Sequence, residues 1–171
     1  FSAGREDFFT ASLVTMLRCH VELREEFSAW VDEECGTRLR EGKWEIKAQC
    51  PRVAGKDFGN AVLDMVFTSS DTEVWFEHKV GAPLGKYPGD HDQIDKYLDA
   101  AARTMRGITD PGAEAPWPDN GRPLAGNPKV LLVVICMKSQ SMDRHRGRSE
   151  LIRQGWGGLA WAGQEGHLRW K

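Results

Sequence analysis

The stretch Ala61-Val62-Leu63-Asp64-Met65-Val66-Phe67, followed after six polar residues by Val74-Trp75-Phe76-Glu77-His78-Lys79-Val80, decides how this chain folds. Both runs are apolar enough to be core strands, yet each carries ionisable residues, which core strands seldom hold. Alternation with period two puts Trp75, Glu77 and Lys79 on one face of the second strand and Val74, Phe76, His78 and Val80 on the other. A hairpin closed symmetrically about Ser70 and Asp71 makes residue 64 the antiparallel partner of residue 77. Asp64 is then expected directly opposite Glu77. Cross-strand Cβ atoms sit roughly 5 Å apart, where two like charges destabilise a sheet unless something positive lies between them. A divalent cation would serve, with Lys79 about 7 Å further along the same face. A bulge in the 68–73 turn would instead shift Asp64 off Glu77 and leave an ordinary salt bridge.

Outward from the hairpin, hydrophobic spacing predicts a helix over 5–18 with Phe9, Leu13, Met16 and Leu17 as its stripe, and Glu6 falls on that stripe. A second helix is expected over 21–34, ending at Gly36, and a first strand over 44–50, where Gln49 faces opposite to Ile46. Past a connection rich in Gly and Pro, Asp90 is expected to cap a helix running through Ile94, Leu98, Ala101 and Met105. Gln93 and Tyr97, four apart, share one face of it. Residues 109–128 read as a long loop, and the apolar run 129–137 as a central strand covered on both faces.

The constellation Asp-x12-Glu-x-Lys on a hairpin resembles the catalytic core of the PD-(D/E)xK nuclease superfamily. Gln93-Ile94-Asp95-Lys96-Tyr97 resembles the Gln-x3-Tyr helix motif of its RecB-like branch. Arg5-Glu6-Asp7-Phe8-Phe9-Thr10 is similar to the acidic start of the first helix in many bacterial members, where a glutamate reaches the metal site. The likeness spans residues 5–137 in the family's order of elements. Leu63 departs from it, standing where the name-giving proline would be, but proline supplies no metal ligand.

This resemblance implies an α/β, restriction-endonuclease-like fold in a single domain over 1–171, with an αβββαβ core whose central mixed sheet is flanked by helices. It implies an Mg- or Mn-dependent nuclease hydrolysing phosphodiester bonds, with DNA favoured as substrate and endonuclease action favoured over exonuclease. Asp64, Glu77, Lys79, Glu6, Gln93 and Tyr97 would be its catalytic set. Asp64, Glu77, Glu6 and the backbone carbonyl of His78 would be its metal ligands. Many similar bacterial members look like antiviral-defence effectors, so that role is carried as an expectation.

Each residue also has a plainer reading. Asp64 could pair with a lysine, Glu77 and Lys79 could be the polar face of an edge strand, and Glu6 could favour the helix macrodipole. Gln93 could complete a capping box with Asp90, and Tyr97 could be core. Two other functional classes stay open. One is a non-catalytic nucleic-acid-binding or protein-interaction module on the same fold. The other, a metal phosphohydrolase built on His91-Asp92, needs more histidines than the five scattered here.

At 171 residues the chain can bury one core without staples. A net charge of −2 argues against whole-surface attraction to nucleic acid. Local contacts are expected instead at Arg103, Arg144, Arg146 and Arg148, although the last three could equally be a solvated loop. Four widely spaced cysteines point to neither a zinc cluster nor a disulfide framework. With no bilayer-length apolar run, a cytoplasmic protein without membrane partners is expected. The chain does not open on Met, so it is expected to belong to a longer protein, with additional domains or a homo-oligomer as partners.

Overall fold

A computed structural model describes residues 3–35, 37–79, 85–118 and 122–136, with residues 3–6, 34–35, 79 and 134–136 described by backbone alone. Helices α1 (Ala3–Cys19) and α2 (Val21–Cys35) precede strand β1 (Glu45–Arg52) and the hairpin of β2 (Ala61–Thr68) and β3 (Thr72–Lys79). A small ribbon of β4 (Lys86–Tyr87) and β5 (His91–Asp92) leads into helix α3 (Gln93–Arg106), and β6 (Lys129–Cys136) follows. The protein is mixed α/β. Its main sheet has the order β1-β2-β3-β6, antiparallel except for β6, which runs parallel to β3. Joining parallel neighbours needs a crossover, and α3 supplies it.

The hairpin register pairs Met65 with Phe76, Val66 with Trp75, Phe67 with Val74 and Thr68 with Glu73, as symmetric closure of the turn predicts. Ser69 closes the turn locally: its amide donates to the Thr72 carbonyl at 2.9 Å, and its hydroxyl donates to Asp71 Oδ1 and accepts from the Thr72 amide, both at 3.1 Å. Met65, Phe67, Val74 and Phe76 thus share a face, which meets α2 where the Phe27 ring lies 6.0 Å from Phe67 and 5.5 Å from Phe76. The opposite face, with Val66, Trp75 and Glu77, is the one α3 reaches through Tyr97. Leu63, Met65, Val66, Phe67, Trp75 and Phe76 are all fully buried. Covering both faces explains why the strands read as nearly continuous apolar runs.

The same cause accounts for β6, the last strand of the sheet among the described residues rather than a central one. Val130, Leu132 and Val133 are buried although, among the described residues, β6 has a strand neighbour on one side only. In α1 the buried stripe is Thr10, Leu13, Val14 and Leu17, while Met16 is exposed. The predicted stripe is therefore rotated slightly, and it admits a threonine in place of a methionine.

The N-cap of α3 is Asp92, not Asp90. Asp92 Oδ1 accepts from the amides of Ile94 (2.8 Å) and Asp95 (3.3 Å), and Asp95 Oδ2 accepts from the Asp92 amide at 2.9 Å. Asp90 has φ 61° in a 3-10 turn with Gly89 at φ 78°, so the backbone there is left-handed and the helix starts two residues later. At the other end Gly107 (φ 67°) forms the left-handed C-cap.

Arg103 anchors the loop that follows. It is 4% exposed, with Nε donating to Asp99 at 2.8 Å, Nη1 to the Asp110 carbonyl at 2.7 Å and Nη2 to the Ala113 carbonyl at 2.8 Å. Asp99 also accepts from the Gly55 amide at 2.5 Å, tying the loop before β2 to the same point. No helix among the described residues is long and apolar enough to cross a membrane.

Candidate active site

The charged end of the hairpin lies where β2 begins and β3 ends, at the carboxyl end of two parallel strands, a place where α/β sheets commonly bind ligands. The regular pairing of β2 with β3 runs as far as Met65 and Phe76. Asp64 and Glu77 are the next residue of each strand past that last pair. There Asp64 Oδ2 accepts the backbone amide of His78 at 2.7 Å. A side-chain carboxylate thus takes a donor that sheet pairing would otherwise occupy.

Asp64 faces a second irregularity across β1. The register of β1 with β2 steps from Ala48–Met65 to Cys50–Leu63 over Gln49, whose φ is 51°. A left-handed glutamine inside a strand is uncommon and re-aims the chain locally. Gln49 Nε2 reaches Asp7 Oδ1 of α1 at 3.5 Å, so the start of α1 and the middle of β1 meet beside Asp64.

Glu77 is 1% exposed, an expensive place for a carboxylate unless its oxygens are bonded. Helix α3 supplies the bonds. Gln93 Nε2 donates to Oε1 at 2.7 Å and the Tyr97 hydroxyl to Oε2 at 2.7 Å. Gln93 Nε2 also donates to the Tyr97 hydroxyl at 2.8 Å, so the three side chains close a ring of contacts. The Val62 carbonyl lies 3.2 Å from that hydroxyl, but a phenol has one proton, and the shorter, charge-assisted contact with Glu77 claims it. Burial, and then the negative charge of Glu77, push the Tyr97 phenol far above its ordinary pKa, with Asp64 adding a smaller push. Tyr97 is therefore a neutral donor at any pH at which the protein would work.

No family model, no curated protein and no solved structure matches the chain.

The geometry of this site therefore rests on its own residues. Asp64, Glu77, Gln93, Tyr97 and the backbone of His78 come together. Glu6 lies on α1 one turn before Thr10, and Lys79 is the last residue of β3, but both side chains lie outside the described residues. Arg144, Arg146 and Arg148 also lie outside them. Gln93 is not the third residue of a capping box, a place that Asp95 takes, and its amide is turned to Glu77 instead.

Some participants carried no signal in the sequence. Thr10 Oγ1 is hydrogen-bonded to His78 Nδ1 at 2.9 Å, and Phe9 meets the same ring edge-on at 5.3 Å. Lys96, 9% exposed, donates to the Tyr87 hydroxyl at 2.8 Å and to the Asn60 carbonyl at 3.3 Å, with its ammonium 5.8 Å from the Tyr97 ring centre. Among the described residues no group of three or more His, Cys, Asp or Glu side chains converges as a metal cage. A magnesium site does not need one, since that ion keeps several waters and binds through one or two carboxylates. Asp64 and Glu77 offer the hard oxygens it takes, and the Asp64 side chain, 15% exposed, is the more accessible of the two.

Proposed function

We propose that this protein is a metal-dependent nuclease that hydrolyses phosphodiester bonds, with DNA as substrate and Mg²⁺ or Mn²⁺ as cofactor. The observation that carries the reading is the buried Glu77, held by Gln93 and Tyr97 at Gln-x3-Tyr spacing, one residue past the last regular pair of the Asp64 hairpin. A buried carboxylate with two dedicated donors and a second acid across the strand is a costly arrangement for a sheet that needs only apolar packing. Its likeness to the PD-(D/E)xK nuclease core supports the same reading, on a restriction-endonuclease-like version of the α/β fold.

In this proposal Asp64 and Glu77 hold the metal, which would polarise the phosphate and lower the pKa of a water. Gln93 and Tyr97 fix Glu77 in one orientation, so no reorganisation is needed when charge develops. Lys79 orients the attacking water and offsets the charge of the phosphate, and Glu6 acts through a water. The His78 carbonyl is a further oxygen available there. Arg144, Arg146 and Arg148 remain proposed nucleic-acid contacts. Arg103 drops out of that set, because its guanidinium is buried and bonded to Asp99 and two loop carbonyls. A bacterial antiviral-defence role stays part of the proposal only through the resemblance of α1.

The test is cleavage of supercoiled, linear double-stranded and single-stranded DNA by the purified protein under Mg²⁺ and Mn²⁺. Asp64→Asn and Lys79→Ala should each abolish cleavage with the fold intact. Undiminished activity in both variants, or an inert wild-type protein, would overturn the assignment. The near-complete burial of Glu77 favours a second reading, a nucleic-acid-binding or interaction module whose carboxylates are structural. Calorimetry separates the two, since that module would show no heat of Mg²⁺ binding.

A further inference from the structure

Beside the site stands a cluster of rings that the hydrolytic chemistry does not use. Tyr87 and His91 are cross-strand partners in the ribbon of β4 and β5, and Phe58 meets both edge-on, at 5.7 Å and 73° to Tyr87 and at 5.4 Å and 69° to His91. A ribbon of two residues per strand cannot hold itself together. It is fastened to the site instead. The Gln93 amide donates to the Gly85 carbonyl at 2.9 Å, and Gln93 is the residue that donates to Glu77. Lys96 reaches from α3 to the Tyr87 hydroxyl, its ammonium 5.0 Å from the Tyr87 ring centre and 5.8 Å from that of Tyr97. The turn is shaped to keep the rings close: Gly89 is left-handed at φ 78°, and a Cβ there would sit 3.1 Å from His91 Cδ2.

The rings keep part of their surface open, although Phe58 also packs against the core. Phe58 and Tyr87 are half-buried and His91 is exposed, as are their neighbours Lys56, Asp57, Gly59, Lys86, Pro88 and Asp90. Lysines and aspartates alternate on this surface, so it is not a track for phosphates. Its attraction for a strand would come from ring faces, on which bases stack with little regard to sequence. A base inside a duplex has no face to offer; an unpaired one has.

We infer that Phe58, Tyr87 and His91 form a stacking platform for an unpaired base next to the scissile phosphate, so that the substrate is single-stranded or locally opened nucleic acid. This rests on the nuclease reading. The experiment is fluorescence anisotropy with a single-stranded oligodeoxynucleotide and a blunt duplex of the same sequence. Both are measured with Ca²⁺ in place of Mg²⁺, and 2-aminopurine placed at successive positions reports stacking. Wild-type protein should prefer the single strand and quench 2-aminopurine at one position. Phe58→Ala and His91→Ala should each weaken single-strand binding by about ten-fold and relieve the quench. Phe58→Tyr should restore both, which a mere loss of folding could not explain. Single-strand binding and quenching unchanged in Phe58→Ala and His91→Ala, or a wild-type preference for duplex, would overturn the platform while leaving cleavage untouched. A wild-type protein that binds neither oligonucleotide and cleaves nothing would overturn the nuclease reading and the platform together.

Discussion

The His78 backbone amide donates to Asp64 Oδ2 at 2.7 Å, so an acid of one strand takes the place of a backbone acceptor for the next. Asp64 is consequently built into the sheet as well as into the proposed chemistry, and the two roles come apart by substitution. Asparagine keeps an oxygen that can accept from the His78 amide, and alanine does not. Asp64→Asn should melt within a few degrees of wild type, whereas Asp64→Ala leaves a part-buried amide without its acceptor and should lose about 1–3 kcal/mol. Both should be inactive. Chemical denaturation beside a cleavage assay reads the two effects, and equal stability of the two variants would show that the amide bond is not worth its geometry.

Acid sensitivity should come in part from Asp32. Burial pulls its pKa up, but hydrogen bonds from the Thr37 hydroxyl and from the backbones of Arg40 and Leu39, with the Arg40 side chain, together outweigh it and leave the carboxyl below its ordinary value. A group whose pKa is depressed by folding contributes stability above its unfolded pKa and loses it as pH falls through the folded value. The contribution should be complete at neutral pH and vanish only below the usual aspartate range. Asp32→Asn should flatten the stability profile there, measured by denaturation from pH 7 down to about pH 2. A wild-type profile in that variant would remove Asp32 from the account.

The hairpin was legible in the sequence because everything that sets its register is local. Strand pairing closes symmetrically about Ser70 and Asp71, and Ser69, Asp71 and Thr72 close the turn among themselves. Gln93 and Tyr97 were legible as a face, since four-residue spacing fixes that in any helix. What each side chain does there was not. Both Asp90 and Asp92 can cap a helix, and the choice fell to Asp92 because the left-handed backbone at Gly89 and Asp90 turns the chain first. The bond between Thr10 and His78 joins residues 68 apart and leaves no trace in spacing. Arg103 at a helix end reads as surface charge from sequence, yet carbonyls of the following loop and Asp99 draw it inward.

That inward turn makes Arg103 a stability residue. Removing it strands the Asp99 carboxylate and two carbonyls, so Arg103→Ala should cost about 3 kcal/mol. Arg103→Lys should recover little, because an ammonium cannot span three separated acceptors as the planar guanidinium does. Nucleic-acid affinity, measured well below the melting temperature, should stay at the wild-type value. A selective loss of affinity with stability preserved would return Arg103 to the binding surface.

Gln93 and Tyr97 should act on Glu77 as a pair. Tyr97→Phe removes the donor to Oε2 and Gln93→Leu the donor to Oε1, and each leaves a buried carboxylate short of a bond. Either change alone should cost about 1–3 kcal/mol. Because Gln93 Nε2 also donates to the Tyr97 hydroxyl, the double variant should cost less or more than the sum by at least about 0.5 kcal/mol, as contacting residues in one network do. Activity adds a second readout. The Tyr97 pKa is raised by burial and then by Glu77, so the phenol does not titrate in the working range and cleavage should show no basic limb from it. If Tyr97→Phe abolished an alkaline fall in rate seen in the wild-type protein, the phenol would be a proton carrier and not a clamp on Glu77. Strictly additive stabilities would show that the two donors hold the carboxylate independently.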